Sequence, residues 1–332
     1  MAQRSKAALV VLIIGLIILI LAPIWKWGIG PSLVKVPDTI DTKSVYEGQL
    51  TLFVDPTTLS ALPPELAVKI PLTITRHDVS QPAKSSSSVA LVKETINAIG
   101  PAGKSFISQT KYFALDRKTS QNVSDHGSDK NRTGYFVLLP IGVQKQTYNL
   151  WDDDIMKAGP AKFVKVTKVN GIKTKNATAY VFHASGSDPM VNPPLGLPKS
   201  VSGAEIKSIL GNPNFAANDT QQYPINYIKK TDATIVVDQK TGAPINLPAY
   251  SETYYVDASG LGQPNIKLGT LSYNQTPENV AAVLDDAAES YGLLSMVGLW
   301  IPLVLLILGV IITVIGAIWL SRKKEPKAPA AA

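Results

Sequence analysis

Two stretches of the chain are apolar without interruption, and nearly everything between them alternates. From Ser290 to Ser321 no residue carries a charge, and Leu299 to Leu320 (LWIPLVLLILGVIITVIGAIWL) is aliphatic or aromatic at almost every position. At 1.5 Å per residue, Trp300 and Trp319 stand about 28 Å apart, close to the roughly 30 Å of a bilayer's hydrocarbon core, with an indole at each interface. The pattern predicts a transmembrane helix over 299–320. A second uncharged run, Ala7 to Trp25 (AALVVLIIGLIILILAPIW), follows Arg4 and Lys6 and predicts a span over 7–27. This run exceeds the roughly 7–15 residues of a cleaved signal's core and lacks a small-x-small site, so it reads as an uncleaved signal anchor. Trp25, Trp27, Trp300 and Trp319 are the expected interfacial anchors. Gly15 on the first helix and Gly309 and Gly316 on the second, with Thr313 between them, are the expected close-packing positions.

The residues between the spans read as strands. Four segments share one local grammar, a β-rich run closed by aspartate and a turn: TLFVDPTT (Thr51 to Thr58), KYFALDRKTS (Lys111 to Ser120), TIVVDQKTG (Thr234 to Gly242) and TYYVDASGLG (Thr253 to Gly262). Each aspartate is placed to accept hydrogen bonds from the amides that follow it, which predicts hairpins. Further strands are expected at 67–76, 135–139, 161–168, 178–183 and 265–273. The polar stretches 80–88 and 119–134 are expected to be mobile loops. Ser202-Gly-Ala-Glu205 is a capping box that opens a short helix ending at Gly211 and Pro213. From Thr276 a longer helix presents Val280, Val283, Leu284, Ala287, Tyr291 and Leu294 on one face. It is expected to run unbroken into the second span, with Pro302 as a kink, and to dock on the outer domain. The predicted fold is therefore a mainly β ectodomain, an antiparallel meander or half-barrel with few helices, between two transmembrane α-helices. Its divisions are an N-tail (1–6), first span (7–27), β-rich domain (28–275), juxtamembrane helix (276–298), second span (299–320) and basic tail (321–332).

Charge adds a direction. The tails hold Arg4, Lys6, Arg322, Lys323, Lys324 and Lys327 against Glu325, so most of the formal +7 lies at the ends and the intervening domain is nearly neutral. Basic residues flank spans on the cytoplasmic side, which predicts both termini inside and the β domain outside the plasma membrane. No nucleic-acid footprint is visible. The chain has no cysteine, hence no disulfide and no thiolate chemistry. Five Asn-x-Ser/Thr sequons, at Asn122, Asn131, Asn176, Asn218 and Asn274, read as chance in a Ser/Thr/Asn-rich bacterial envelope protein.

No catalytic constellation emerges, and no enzyme activity, metal site or cofactor is expected. Ala98 to Ser105 (AIGPAGKS) satisfies the permissive phosphate-loop pattern, but FISQTKYFAL after it reads as strand where a helix is needed. Asp152, Asp153 and Asp154 lack the alternating spacing of a calcium loop and read as a solvated turn. His77, His126 and His183 stand in no metal-binding spacing.

The layout of Ala22-Pro23 at the end of the anchor, Val36-Pro37, Tyr148-Asn-Leu-Trp151-Asp152 trailed by Ala161-Lys-Phe163, and strand-Asp238-x-x-Thr-Gly242 before a terminal helix resembles the actinobacterial PorA porin family of envelope proteins. The resemblance covers nearly the full chain and implies channel formation in the cell envelope, here by an oligomer because neither apolar run, 7–25 or 299–320, carries an ionisable group. The strand-Asp-x-x-Thr-Gly grammar is also similar to half-barrel lipoprotein carriers, which makes a lipid-binding, lipid-transfer or scaffold ectodomain the alternative. The expected partners are the lipid bilayer and either further copies of the chain or another envelope protein.

Overall fold

The computed structural model describes residues 2–55, 60–193, 197–259 and 262–321, with side chains of the first helix from Lys6 onward. The basic residues Arg322, Lys323, Lys324 and Lys327 lie outside the described residues. The chain divides into two units, residues 1–35 with 290–332, and residues 36–289.

The first unit is a helical hairpin. Helix α1 (Ala2–Ile24) continues through a π-turn (Trp25–Ile29) into α2 (Gly30–Leu33). The helix therefore extends beyond the expected boundary at residue 27, to Leu33. On the other arm, α5 (Tyr291–Ser295) passes through a second π-turn (Met296–Trp300) into α6 (Ile301–Ser321). The apolar segments run from Lys6 to Leu33 and from Tyr291 to Ser321, each long enough to cross a bilayer. Each π-turn lies beside a proline, Pro23 in one arm and Pro302 in the other, where the missing amide breaks the regular hydrogen-bond ladder. Large aliphatic side chains of both helices point outward, with Leu9, Ile17, Ile20, Val304 and Val310 all about half exposed.

The second unit is built on one sheet. In chain order its strands are β1 (Asp41–Leu52), β2 (Val68–Ser80), β3 (Val89–Ile99), β4 (Ser105–Asp116), β5 (Asn122–Val123), β6 (Tyr148–Asp152), β7 (Lys157–Val169), β8 (Ala177–Pro189), β9 (Ser200–Ser202), β10 (Gln222–Pro224), β11 (Tyr227–Asp238), β12 (Pro244–Val256) and β13 (Ile266–Gln275). Eleven of them form an antiparallel half-barrel in the order β5-β4-β3-β2-β1-β13-β12-β11-β8-β7-β6, with β9 and β10 paired apart. The chain thus meanders from the centre outward to β5, crosses to the opposite edge, and meanders back to the centre. Three of the aspartate turns behave as their sequence requires: Asp116 accepts from the amides of Lys118 and Thr119, Asp238 from Thr241, and Asp257 from Ser259, whereas the turn after Asp55, at 56–59, lies outside the described residues.

Two helices pack on this sheet. Helix α3 (Gly203–Leu210) opens on the reciprocal Ser202–Glu205 capping box and ends at left-handed Gly211 (φ 58°). Its Ile206 and Ile209 join Val201, Tyr227 and Val256 in a small core. Helix α4 (Pro277–Glu289) buries Val283 and Leu284 against Ala177, Ala179, Val181, Val236 and Ile245. The docking face follows the predicted pattern, but the helix is not continuous: Ser290 is a turn residue between α4 and α5.

The crossing from β5 to β6 departs most from expectation. Tyr135 to Leu139 is not a strand, although all five residues are apolar. Phe136, Val137 and Leu138 join a core with Val36, Ala90, Val92, Phe113 and Leu115, whereas Tyr135, Leu139 and Val143 join another with Tyr148, Ala161, Tyr180, Phe182 and Val237. A segment buried on two sides has no ladder to make, so its uninterrupted hydrophobicity comes from filling the half-barrel. It also links the two sheet edges through backbone bonds. The Asn122 amide donates to Gly134, Tyr135 donates to Asn149, and Trp151 donates to Tyr135.

Candidate functional site

The concave wall under the crossing segment is charged. Alternation along β11 and β12 turns Lys229 and Glu252 inward, and the Lys229 ammonium, only 4 % exposed, meets Glu252 Oε1 at 2.6 Å, Asp154 Oδ2 at 2.7 Å and Asp152 Oδ2 at 2.9 Å. Tyr250 and Tyr254 each donate a hydroxyl to Glu252. Burial opposes the ammonium, but the three carboxylates outweigh it and hold the Lys229 pKa well above its usual value. Burial also pushes the Glu252 carboxyl up, and Lys229 with the two tyrosines reverses this to leave it below the ordinary range. Asp154 keeps a raised pKa, from burial first, despite the attraction of Lys229. Desolvation raises the phenol pKa values of Tyr46, Tyr250, Tyr254 and Tyr273 above their usual value.

A second network lies along β2, β3 and β4. Arg76 contacts Glu94 at 2.7 Å and Asp78 at 3.1 Å, and Lys111 contacts Asp153 at 3.2 Å. Arg132 arrives from the crossing segment, 1 % exposed, and grips Asp153 with two parallel bonds of 2.8 and 3.1 Å. It also contacts Asp129 at 2.7 Å and donates to the Tyr112 carbonyl. The Trp151 indole donates to the same Asp153 carboxylate at 2.8 Å. Burial raises the Asp153 pKa, yet the Arg132 bonds and the charge of Lys111 hold it well below the carboxylate range. Arg76, Lys111 and Arg132 all approach the Phe136 ring, at 5.9, 5.6 and 5.2 Å from its centroid.

These networks correct two expectations. Asp152 ends β6 and Asp153 and Asp154 begin the β6–β7 turn as expected, but they are not solvated: Asp153 turns to the arginine clasp and its neighbours to Lys229. The 119–134 stretch is not a free polar loop either, because Arg132 buries its guanidinium and ties the stretch to both edges. Sequence reading missed Arg132 and Lys229 because a lone basic residue in a polar or strand segment carries no local signal of burial.

The other predicted residues fall into place by geometry. Trp151 and Asp152 close the β6 end as described. Asp238 is fully buried in the β11–β12 turn, and Gly242 (φ +75°) has no room for a Cβ, which would meet the Leu139 carbonyl at 2.2 Å. The Leu139 amide in turn donates to the Gly242 carbonyl, and that of Gly142 to Lys240. The two motif sites are 86 positions apart at Asp152 and Asp238, yet both seat the crossing segment. In the helical hairpin, a Cβ on Gly15 would meet Thr313, on Gly309 Leu19, and on Gly316 Leu12, each at under 3 Å from backbone. The paired numbers rise on one helix as they fall on the other, so the helices are antiparallel. Thr313 spends its hydroxyl on the Gly309 carbonyl, 2.6 Å away. The Trp25 indole donates to the Val297 carbonyl, while Trp27, Trp300 and Trp319 stand exposed. The phosphate-loop lookalike is a hairpin turn between β3 and β4, with Pro101–Gly103 at its tip. Among the described residues no group of three or more metal-ligating side chains is assembled.

Two apolar antiparallel helices, with an antiparallel half-barrel between them in the chain, define a two-span membrane protein with a β domain between its spans. A family model described as Porin PorA matches residues 7–318, nearly the whole chain, and the protein belongs to that family. No curated protein matches the chain.

Proposed function

We propose that the protein is an envelope scaffold of the plasma membrane, with both tails cytoplasmic and the half-barrel presented outside as a binding module. One observation supports this reading: glycines bring the two spans into backbone contact, and the hydroxyl of Thr313 at that contact is bonded within its own helix. A hairpin of that kind anchors, and its faces toward lipid are aliphatic. The orientation rests on the basic tails and the acidic Asp285, Asp286 and Glu289 on the other flank of the second span. Because the chain has no cysteine, single cysteines report topology cleanly. Gln109→Cys should react with an impermeant maleimide in intact spheroplasts, and Ala332→Cys only after lysis. Labelling of Ala332→Cys in intact cells would reverse the orientation.

Family membership favours a second reading, a channel formed by several copies. Planar bilayers separate the two. Discrete conductance steps from the purified full chain, lost on deleting the second helix, support a channel; silent bilayers support the anchor, and lipid co-purifying with that silent protein would make its module a lipid-binding one.

A further inference from the structure

The near-neutral charge of the β domain conceals one strongly basic hairpin. Between Asp154 and Asp188 there is no acidic residue, and the interval holds Lys157, Lys162, Lys165, Lys168, Lys173 and Lys175. Lys157 pairs with Asp188 at 2.8 Å. The other five make no ion pair among the described residues. Lys168 bonds Thr178, and Lys175 bonds the Gly171 carbonyl. Exposed apolar side chains sit among them: Ile172 at the tip of the β7–β8 turn is 70 % exposed, Val164 54 % and Val166 43 %.

The tip is held in place. Asp285 of α4 accepts from the amides of Lys173 and Thr174 at 2.9 and 2.8 Å, and Gly171 lies so close to that carboxylate that a Cβ would stand 2.3 Å from it. The Lys173 amide bond, first among several, pulls the Asp285 pKa down to about 2. Exposure of Ile172 is thus a property of a pinned turn. The clamp also has a covalent consequence. Tyr291, where the second apolar segment begins, is six positions after Asp285, and even fully extended that interval reaches no more than about 20 Å.

We propose that the β7–β8 hairpin is a second membrane contact, with its lysines on anionic lipid headgroups and Ile172 entering the interface. An added strand is the competing occupant of the β7 edge beyond its pairing with β6, at 162–169. That edge carries a bulge between Phe163 and Lys165 and a row of lysines, both of which oppose strand pairing. Basic side chains around exposed aliphatic ones suit the headgroup boundary, where charge and shallow apolar insertion act together.

The inference needs the domain beside a bilayer but not a particular side of it, so full-length protein in nanodiscs tests it independently of orientation. Ile172→Cys carries a nitrobenzoxadiazole label, with Gln109→Cys on β4 as the control. In discs of equal phosphatidylcholine and phosphatidylglycerol the label at 172 should brighten at least about twofold over pure phosphatidylcholine, and molar salt should reverse the gain. The control should not change. The variant K162Q/K165Q/K168Q should lose most of the gain while keeping its melting temperature. Equal emission in the two lipids, or an equal rise at Gln109→Cys, would overturn the proposal. A response to soluble polyglutamate in detergent without one to anionic discs would also overturn it, and would assign the hairpin to an acidic protein partner.

Discussion

Replacing Asp153 with asparagine should cost the β domain far more than an average substitution. Asp153 is 5 % exposed and receives two bonds from Arg132, one from Trp151 and the charge of Lys111. Asparagine retains the volume and can still accept one bond, but it leaves the Arg132 guanidinium buried against a neutral group. Breaking one side of a buried pair costs about 3–5 kcal/mol, against about 1 kcal/mol for a typical point change. Arg132 keeps Asp129, which is one-third exposed, so the expected loss lies at the lower end, about 3 kcal/mol. Urea unfolding of the full chain in mild detergent, followed by near-ultraviolet dichroism, measures it. The R132M/D153L pair removes both charges, and its cost should fall well short of the sum of the single changes. Since the clasp joins the crossing segment to β4 and β6, limited proteolysis of D153N should cut first between residues 124 and 134. A cost below about 1 kcal/mol, or a cycle that adds without coupling, would refute the view that this pair holds the two edges together.

Leu284→Asp places a carboxylate in the fully buried contact between α4 and β8, β11 and β12; a loss of several kcal/mol is expected in thermal unfolding, and an unchanged melting temperature would mean that α4 is not docked. Gly316→Leu should force the two spans apart, because its Cβ would stand 2.6 Å from the Leu12 backbone. Ala8→Cys and Leu320→Cys, one turn further along the same antiparallel contact, should crosslink through a short bifunctional reagent and should stop doing so once Gly316→Leu is added; undiminished crosslinking would mean that the glycine is not needed for the approach. Asp78→Asn reads the pH response: burial raises the Asp78 pKa from 3.8 to about 6, so folding takes up a proton in that window and this residue's contribution falls as pH rises from about 4 to about 6. The variant should flatten that part of the stability profile, and an identical slope would exclude Asp78 as its source.

The parts of this architecture legible in the sequence are those whose physics is local. Span length, flanking charge, a capping box and an aspartate that closes its own turn all act within about ten residues. The strands that escaped notice, β1 and β3 above all, break the apolar-polar alternation on their inward side: β1 places Thr42, Ser44 and Gly48 in line with Tyr46, and in β3 Glu94 faces the core beside Ala90 and Val92. The acidic triplet misled for the same reason. Its partners are Arg132, Lys111 and Lys229, and the last bonds Asp154 across 75 positions, so nothing near Asp152 to Asp154 signals that they are paired. Likewise Tyr135 to Leu139 is apolar throughout, a pattern shared by a strand buried on both faces and by a segment that fills a concavity.

The distribution of charge separates two jobs within one chain. From Ala7 to Trp25 and from Leu299 to Leu320, where a bilayer would make one most costly, the spans contain no ionisable group, and their close contact uses glycine instead of polar glue. The half-barrel does the reverse. Among its described inward groups, Arg76, Lys111, Arg132 and Lys229 face Asp78, Glu94, Asp129, Asp152, Asp153, Asp154 and Glu252, so acids outnumber bases. Apolar residues of equal volume would hold such a core at least as well. What the ion pairs add is register. A sheet whose edges meet only through a crossing segment could seat that segment in several apolar arrangements, and Phe136 to Leu139 alone does not distinguish them. Arg132 finds its bidentate partner at one position, and Gly242 leaves room for the Leu139 carbonyl at one place in the turn. The clasp and the glycine turn therefore fix where the segment lies, one at each end of the run from Arg132 to Leu139.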